Sequence, residues 1–288
     1  MSFNIPIDNS YARKLKSLHK SGSPVVFPNI FDPSSANTLI SINDNNANLI
    51  KAAATASCPI AAKLNSADED LLLPQNLSSV SQFSSTIRVA GLPLSMDLQD
   101  GYEDQVSEAV TGAISIGAVG CNIEDSYPEE GFEDGMACLR SVEEAADRIR
   151  KVLDIAREKG VPDLVVNART DVMCLKPNSE GLTREMMVEE AVKRGKAYLL
   201  AGATSIFVWE IGFGILPAEE IKILVDAFQG RLAVKLGARE DDLSVKELAD
   251  LGVCRISIGP SLFETGTDGF RRGAIRIQQG GKLWIQDI

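Results

Sequence analysis

The stretch that decides the fold is Leu92–Asp104, with the sequence LPLSMDLQDGYED. It begins as a short apolar segment and runs directly into acidic residues, the first of which is Asp97. A second segment of this kind follows one strand–helix unit later, where Val119–Ile123 runs into Glu124. Buried parallel strands that end in carboxylates bring several oxygens to one edge, and a hard divalent cation such as Mg²⁺ needs such oxygens.

Strand patterns and helix patterns alternate on both sides of this stretch. We count eight strand–helix units in about 250 residues, which predicts a (β/α)8 TIM barrel. Glycines such as Gly117 and Gly202 stand where predicted helices end, at a position that favours left-handed backbone. No GxGxxG turn follows the first predicted strand, as an open dinucleotide-binding sheet would require. We therefore expect residues 1–288 to form a single barrel domain with a short N-terminal lead-in helix.

The composition and net charge indicate which kinds of binding partner the protein is expected to have. The chain has 288 residues, of which 44% are hydrophobic and 24% charged, as in a soluble globular protein. Its net charge of −11 argues against a nucleic-acid partner. An anionic substrate is still compatible, because a local arginine and a metal can outweigh the global charge. No apolar run approaches the ~20 residues that span a bilayer, so we expect no membrane association.

The five cysteines are spread singly, without a CxxC pair, and the N-terminus lacks the pattern of a secretory signal. Both features predict a cytoplasmic protein with free thiols. His19 is the single histidine of the chain, so histidine-based triads and multi-histidine metal sites are not available. Any chemistry must use carboxylates, Arg, Lys, Ser, Cys or a metal.

Catalytic groups of a (β/α)8 barrel lie on the loops that follow the strands. Candidate residues at these positions are Ser57, Cys58, Asp68, Asp97, Gln99, Glu124, Arg169 and Lys235. The carboxylates suit Mg²⁺, and Arg169 suits bidentate binding of a substrate carboxylate. Lys235 is included on position alone.

Several acidic residues and cysteines at the strand ends also have a purely structural explanation. Asp125 and Asp171 are equally well explained as caps of turns, and Asp100 is favoured as a turn and surface residue. Cys58 and Cys121 are favoured as packing thiols over nucleophiles, because no nearby histidine or lysine in the sequence would lower their pKa.

Four segments carry a family resemblance: Val26–Asp32 (VFPNIFD), Met96–Tyr102 (MDLQDGY), Gly120–Ser126 (GCNIEDS) and Val166–Asp171 (VNARTD). In this order at strand ends, they resemble the isocitrate lyase/phosphoenolpyruvate mutase superfamily over about residues 24–275. The resemblance implies a (β/α)8 barrel with its last helix exchanged between subunits, in a homodimer or homotetramer. It also implies Mg²⁺ and the cleavage or rearrangement of a small anionic 2-oxo or dicarboxylic acid through an enolpyruvate-like anion.

The resemblance also implies roles for particular residues. Asp97 and Glu124 would hold the metal or its waters, with Gln99 at a third metal-ligand position. Asp68 would stand beside the reacting group, Arg169 would bind the substrate carboxylate, and Ser57 and Cys58 would offer backbone N–H groups to the substrate.

The sequence departs from the superfamily pattern at two places. Gln99 replaces the second acid of an Asp-x-Asp metal pair. The segment 126–132 lacks the catalytic cysteine loop of the isocitrate lyases and the Lys and Asn of the phosphonomutases. We therefore favour a Mg²⁺-dependent lyase that acts on a C–C or P–C bond, with oxaloacetate-type decarboxylation or hydrolysis as the nearest case. The alternative is a catalytically lapsed barrel that serves as a binding or scaffold protein.

Overall fold

The computed structural model describes residues 9–45, 48–127, 132, 134–176, 181–210 and 216–283. Eight parallel strands form one sheet in the order β1-β8-β7-β6-β5-β4-β3-β2, and an isolated bridge between Ile30 and Thr55 brings its two edges together. The strands are β1 (Val25–Phe27), β2 (Ala53–Ala54), β3 (Leu94–Asp97), β4 (Ala118–Ile123), β5 (Val165–Thr170), β6 (Ser205–Val208), β7 (Leu232–Lys235) and β8 (Arg255–Ser257). The predicted (β/α)8 barrel is confirmed.

Helices alternate with these strands around the outside of the sheet. They are α1 (Asn9–Ser17), α2 (Pro33–Asn45), α3 (Ser57–Lys63), α4 (Leu73–Ser81), α5 (Ser84–Val89), α6 (Val106–Ser115), α7 (Val142–Glu158), α8 (Arg184–Leu200), α9 (Ala218–Ala227), α10 (Val245–Asp250) and α11 (Ser261–Gln278). Gly117 and Gly202 close α6 and α8 with φ of +99° and +107°, as predicted.

Two short helices, α3 and α5, were not expected from the sequence. The helix expected from the sequence in this region begins at Leu77, whereas α4 begins at Leu73. The Gln75 side chain explains the earlier start, because its Oε1 accepts a hydrogen bond from Leu72 N at 2.9 Å and satisfies one of the free N–H groups of the first turn.

The lead-in helix α1 packs across the N-terminal end of the barrel. Its Ala12 and Leu15 are fully buried. A Cβ at Gly120 would stand 2.8 Å from Leu15 Cδ2 and 3.0 Å from the backbone oxygen of Val165, so a larger residue there would force its neighbours to shift. The carboxyl end of the barrel is therefore the accessible end. The expectation of one domain over 1–288 stays a prediction, since both termini lie outside the described residues.

The loop after β3 has an unusual backbone. Four of its residues have positive φ, between +50° and +92°: Gln99, Gly101, Tyr102 and Glu103. Only the glycine adopts this region without an energetic cost. The other three residues are strained there, and the surrounding structure must hold them in place. The decisive stretch of the sequence is therefore also the most constrained piece of backbone in the described chain.

Asp100 holds this loop. Its carboxylate is 1% exposed and accepts hydrogen bonds from Tyr102 N at 2.8 Å and Glu103 N at 3.1 Å. Arg140 Nη2 donates to the same carboxylate at 2.7 Å, and Arg148 donates to the Asp100 backbone oxygen. The prediction of a turn residue holds, but the prediction of a surface residue was wrong, because two arginines from the α7 region compensate its burial.

The last helix, α11, buries none of its side chains in this chain. Phe270 is 81% exposed, and Ile275 and Ile277 are about half exposed. The expected exchange of this helix between subunits stays a prediction, since one chain is described. No helix among the described residues has the length and apolar composition that crossing a bilayer requires.

Candidate active site

A cavity opens at the carboxyl ends of the strands and holds about 560 Å³ of space, part of it open to solvent. Six of the eight predicted site residues line it: Ser57, Cys58, Asp68, Asp97, Arg169 and Lys235. The other two, Gln99 and Glu124, are not among the lining residues but contact residues that are. Most of the residues chosen because they follow strands therefore lie around one cavity, as expected for a (β/α)8 barrel.

Asp97, the last residue of β3, is fixed on several sides. Its Oδ2 accepts hydrogen bonds from Ser57 N at 3.0 Å and Ser57 Oγ at 3.1 Å. Its backbone N–H donates to Thr55 Oγ1 at 2.9 Å, and Asn122 Nδ2 lies 3.4 Å from Oδ1. The Ser57 N–H that the resemblance implies for substrate is therefore donated to Asp97 in this structure, and Oδ1 is the less engaged oxygen.

Gln99 links the β3 loop to Asp68. Its Nε2 donates to the Asp68 backbone oxygen at 2.7 Å and to Asp68 Oδ1 at 3.2 Å. Burial and the charge of Asp97 raise the pKa of Asp68 to about 6, against the opposing effects of Ser57, Arg169 and Gln99. Asp68 therefore titrates near neutral pH, as a general acid or base must.

Arg169 is held by two carboxylates and an aromatic ring. Its Nη1 donates to Glu124 Oε1 at 2.7 Å and its Nε to Asp171 Oδ1 at 2.5 Å, and its guanidinium lies 3.7 Å from the ring centre of Trp209. Burial acts to lower the pKa of Arg169, but Asp171 and Glu124 raise it above its ordinary value. The arginine is thus a fixed cation, and one oxygen of Glu124 is committed to it.

The acids next to Arg169 are buried and structural. Asp125 is 1% exposed and accepts hydrogen bonds from Tyr198 Oη at 2.7 Å and Arg194 Nη1 at 3.0 Å. It also accepts from Asp171 N at 2.9 Å, while Asp171 Oδ2 accepts from Ser126 Oγ at 2.6 Å. Asp125 and Asp171 thus do more than cap turns, since they carry the charge network that positions Arg169.

Asn122 and Trp209 line the cavity but were not among the sequence candidates. Ser205 Oγ donates to Asn167 Oδ1 at 2.6 Å, and Asn167 Nδ2 donates to Asn122 Oδ1 at 2.9 Å. This chain of hydrogen bonds turns the Asn122 amino group towards Asp97. The sequence did contain a signal for Asn122, since Asn122 and Asn167 are amides within otherwise apolar strands. A buried amide needs a polar partner, so these positions could have been identified as part of a polar network.

Cys58 and Lys235 lie in the same cavity. Partial burial and the charges of Asp68, Glu264 and Asp97 raise the pKa of Cys58 to about 11, so this exposed side chain is a neutral thiol. This supports the interpretation that it is not a nucleophile. Lys235, the last residue of β7, extends along Gly259, where a Cβ would lie 3.5 Å from its Cε.

The donor set permits a hydrated divalent ion. Of the predicted ligands, Asp97 alone lines the cavity, with Asp68 as a second carboxylate nearby. No group of three or more His, Cys, Asp or Glu side chains in the described part of the chain is placed to hold a metal ion on its own. Mg²⁺ commonly keeps several waters and binds through one or two carboxylates, so Asp97 fits such an ion. Gln99 and Glu124 are engaged with Asp68 and Arg169, and their predicted metal roles stay predictions.

Comparison with known proteins now identifies the family. The family model described as phosphoenolpyruvate phosphomutase matches residues 15–278. The chain belongs to this family. The expected superfamily is thereby confirmed, and with it the expectation of an enzyme of the carbon–carbon or carbon–phosphorus lyase and mutase class.

Individual relatives differ in how much they share. A solved protein from Burkholderia cenocepacia J2315, provisionally assigned as a phosphonomutase, is 31% identical with a TM-score of 0.77, over 95% of this chain and 99% of that one. Oxaloacetate decarboxylase of Rhodopseudomonas palustris (strain BisB18) is 28% identical over 142 residues, 49% of this chain and 45% of that protein. The chain thus matches about half the length of this curated relative. Oxaloacetate acetylhydrolase with bound oxalate has a TM-score of 0.75 at 21% identity, over 97% of this chain and 90% of that one, a likeness of fold alone.

The raised pKa of Asp68 predicts a pH-dependent change in stability on Asp68→Asn. Asp68 ionises from about pH 4 in the unfolded chain but only near pH 6 when folded, so its burial costs stability that grows between these values and is complete above pH 6. Asp68→Asn should therefore raise the free energy of unfolding by about 1–3 kcal/mol at pH 7.5 and leave it unchanged below pH 4.

Urea unfolding of chelator-treated protein, followed by circular dichroism from pH 4 to 8, measures this difference. Asp70→Asn, an exposed acid of the same loop, is the matched control and should show no such trend. A destabilisation by Asp68→Asn of equal size at every pH would contradict the prediction.

Proposed function

We propose that this protein is a Mg²⁺-dependent lyase acting on a C–C or P–C bond of a small 2-oxo or dicarboxylic acid, through an enolpyruvate-like anion. Decarboxylation or hydrolysis of an oxaloacetate-type acid is the nearest case. The observation that carries the proposal is the convergence of Asp97, Asp68 and Arg169 on one cavity. These are a carboxylate for a metal, a group that titrates near neutrality and a fixed cation for an anionic substrate.

Arg169 is suited to hold one end of the substrate. Glu124 and Asp171 occupy its Nη1 and Nε, which leaves Nη2 for a substrate carboxylate. Trp209 covers one face of the guanidinium and shields that contact from water, which strengthens it. Because both carboxylates fix the plane of the guanidinium, little side-chain freedom is lost when the substrate binds.

Asp68 is suited to move a proton. Its pKa of about 6 gives both protonation states at neutral pH, and Gln99 fixes its orientation. Asp97, held by Ser57, would be the carboxylate that holds Mg²⁺. The ion, when bound, supplies positive charge for an enolate oxygen.

The relatives support this choice of reaction. The matched oxaloacetate decarboxylase acts, by its name, on a 2-oxo dicarboxylic acid, and the provisionally assigned phosphonomutase supports the P–C alternative. The loop 126–132 lacks the cysteine of the isocitrate lyases, which favours decarboxylation or hydrolysis over isocitrate cleavage. Residues 128–131 of that loop lie outside the described residues.

Turnover tests the proposal. Purified protein with Mg²⁺ and oxaloacetate should form pyruvate, or oxalate and acetate, above the uncatalysed rate when products are followed by NMR. Asp97→Asn should lower kcat/KM by roughly 100-fold or more, because it removes the carboxylate that would hold Mg²⁺ and with it the positive charge that stabilises the developing anion. Asp104→Asn, an exposed acid beyond the same strand, should leave the rate unchanged.

The lapsed-barrel hypothesis makes the opposite prediction. A panel of oxaloacetate, phosphonopyruvate and methylisocitrate that gives no turnover above background, with and without Mg²⁺, would support a binding or scaffold role and contradict the lyase.

We also propose that the protein self-associates through α11. This helix buries no side chain of its own chain, and Leu262 forms part of an apolar groove of about 870 Å³ with residues of α2 and the preceding loop, including Phe31 and Ile42. Exposed apolar surface of this extent indicates a partner, and a second copy that exchanges α11 would cover the helix and extend the groove.

Phe270→Asp should convert the assembly to monomers, because it places a charge in the exchanged surface. Sedimentation velocity at micromolar concentration measures the change. Leu200→Asp, which alters an apolar side chain that is 90% exposed on α8, should leave the assembly intact. A wild-type protein that sediments as a monomer would contradict helix exchange.

A further inference from the structure

Lys235 is a cation that lines the cavity, and no described residue forms an ion pair with it. It is the last residue of β7 and half buried, and its ammonium makes no hydrogen bond or ion pair within the described chain. Asp68 and Asp97 line the same cavity, yet neither pairs with it. A half-buried amine without a partner is a binding group for an anion that arrives with a ligand.

Two other cations near the cavity, Arg169 and Lys63, already have acidic partners. Arg169 forms ion pairs with both Glu124 and Asp171, so its charge is balanced before any substrate binds. Lys63, further out, pairs with Asp32. Lys235 is therefore the lining residue that brings unbalanced positive charge to the cavity, among the residues that the structure describes.

The position of Lys235 is set by its surroundings. It pairs in register with Ser257 on β8, and a Cβ at Gly259, whose φ is +62°, would lie 3.5 Å from Lys235 Cε and 3.9 Å from its Cδ. Substitution of Gly259 would strain the backbone at that φ. The aliphatic stem thus has a fixed neighbour, which limits the freedom of the ammonium group.

Lys235 and Arg169 stand on opposite sides of one strand. β5, which carries Arg169, and β7, which carries Lys235, both pair with β6. Arg169 is level with Phe207, and Phe207 with Ala233, so Lys235 lies two residues further along. Two strand spacings and two residues of rise separate the backbones of Arg169 and Lys235 by about 12 Å. Both side chains line the same cavity, together with Phe207 and Trp209.

We propose that Lys235 binds a second anionic group of the substrate, at the end opposite to Arg169, and so selects dianionic acids over monoanionic ones. This inference rests on the proposed function for its substrate class. Lys235 is thereby a specificity-determining residue. It forms a noncovalent ion pair and takes no part in bond breaking.

A matched pair of ligands tests the inference. Succinate and its half-amide succinamate have nearly the same size and differ by one negative charge. Calorimetry in the presence of Mg²⁺ should show that the wild-type protein prefers succinate by roughly 10- to 100-fold, as expected for a charged hydrogen bond.

Lys235→Met keeps the apolar stem and removes the charge, so the preference for succinate should fall to about 2-fold or less while succinamate binds as before. Lys235→Arg restores a charge and should recover part of the preference. Lys222→Met, an exposed lysine of α9, is the control and should behave as wild type. Unchanged succinamate binding shows that the variant is folded.

Three outcomes would overturn the inference. The first is a preference for succinate that persists in Lys235→Met. The second is a wild-type protein that binds succinate no more tightly than succinamate. The third is a borohydride-trapped adduct of a 2-oxo acid on Lys235, found by mass spectrometry, because it would show a covalent role. A Lys235-dependent preference without turnover of any 2-oxo acid would contradict only the proposed function.

Discussion

The buried ion pair between Asp100 and Arg140 is the constraint on which the site depends. Their atoms lie 2.7 Å apart, with both side chains at most 3% exposed. Removing one partner from such a pair leaves an uncompensated buried charge, so the two are tied together. The pair holds the backbone after β3 in a conformation that Gln99, Tyr102 and Glu103 would not adopt alone.

The same arginine joins the β3 loop to the next one. Arg140 Nη1 donates to Ser126 O at 2.5 Å, and its backbone N–H donates to Asp125 O at 2.8 Å. Asp125 in turn binds Arg194 and the backbone of Asp171, beside Arg169. Two buried ion pairs thus fix three successive strand-end loops relative to one another, which is the rigidity that a preorganised site requires.

Strand ends could be predicted from the sequence, because apolar runs followed by polar residues repeat along the chain. This pattern located the barrel and six residues of the cavity. Asp100 and Asp125 could not be told from ordinary turn acids. Their partners lie 40 and 69 residues away, at Arg140 and Arg194, and no local pattern links such residues.

The contacts of Gln99 and Glu124 were likewise outside the reach of the sequence. Position placed both near a metal, but the structure engages Gln99 with Asp68 and Glu124 with Arg169. Which oxygen or amide faces a cavity depends on side-chain contacts across several strands. Lys235 is a further example. Its place at the end of a predicted strand put it at the mouth of the barrel, but the sequence could not show that its charge is unpaired.

The central claim is that Asp97, Asp68 and Arg169 surround a metal and an enolpyruvate-like anion. A crystal structure with Mn²⁺ in place of Mg²⁺ and with oxalate, recorded with anomalous diffraction, tests it most directly. We expect an anomalous peak with Asp97 as a ligand and oxalate in contact with both the ion and Arg169. No peak in the cavity at saturating Mn²⁺ and oxalate, or a metal bound away from Asp97, would contradict it.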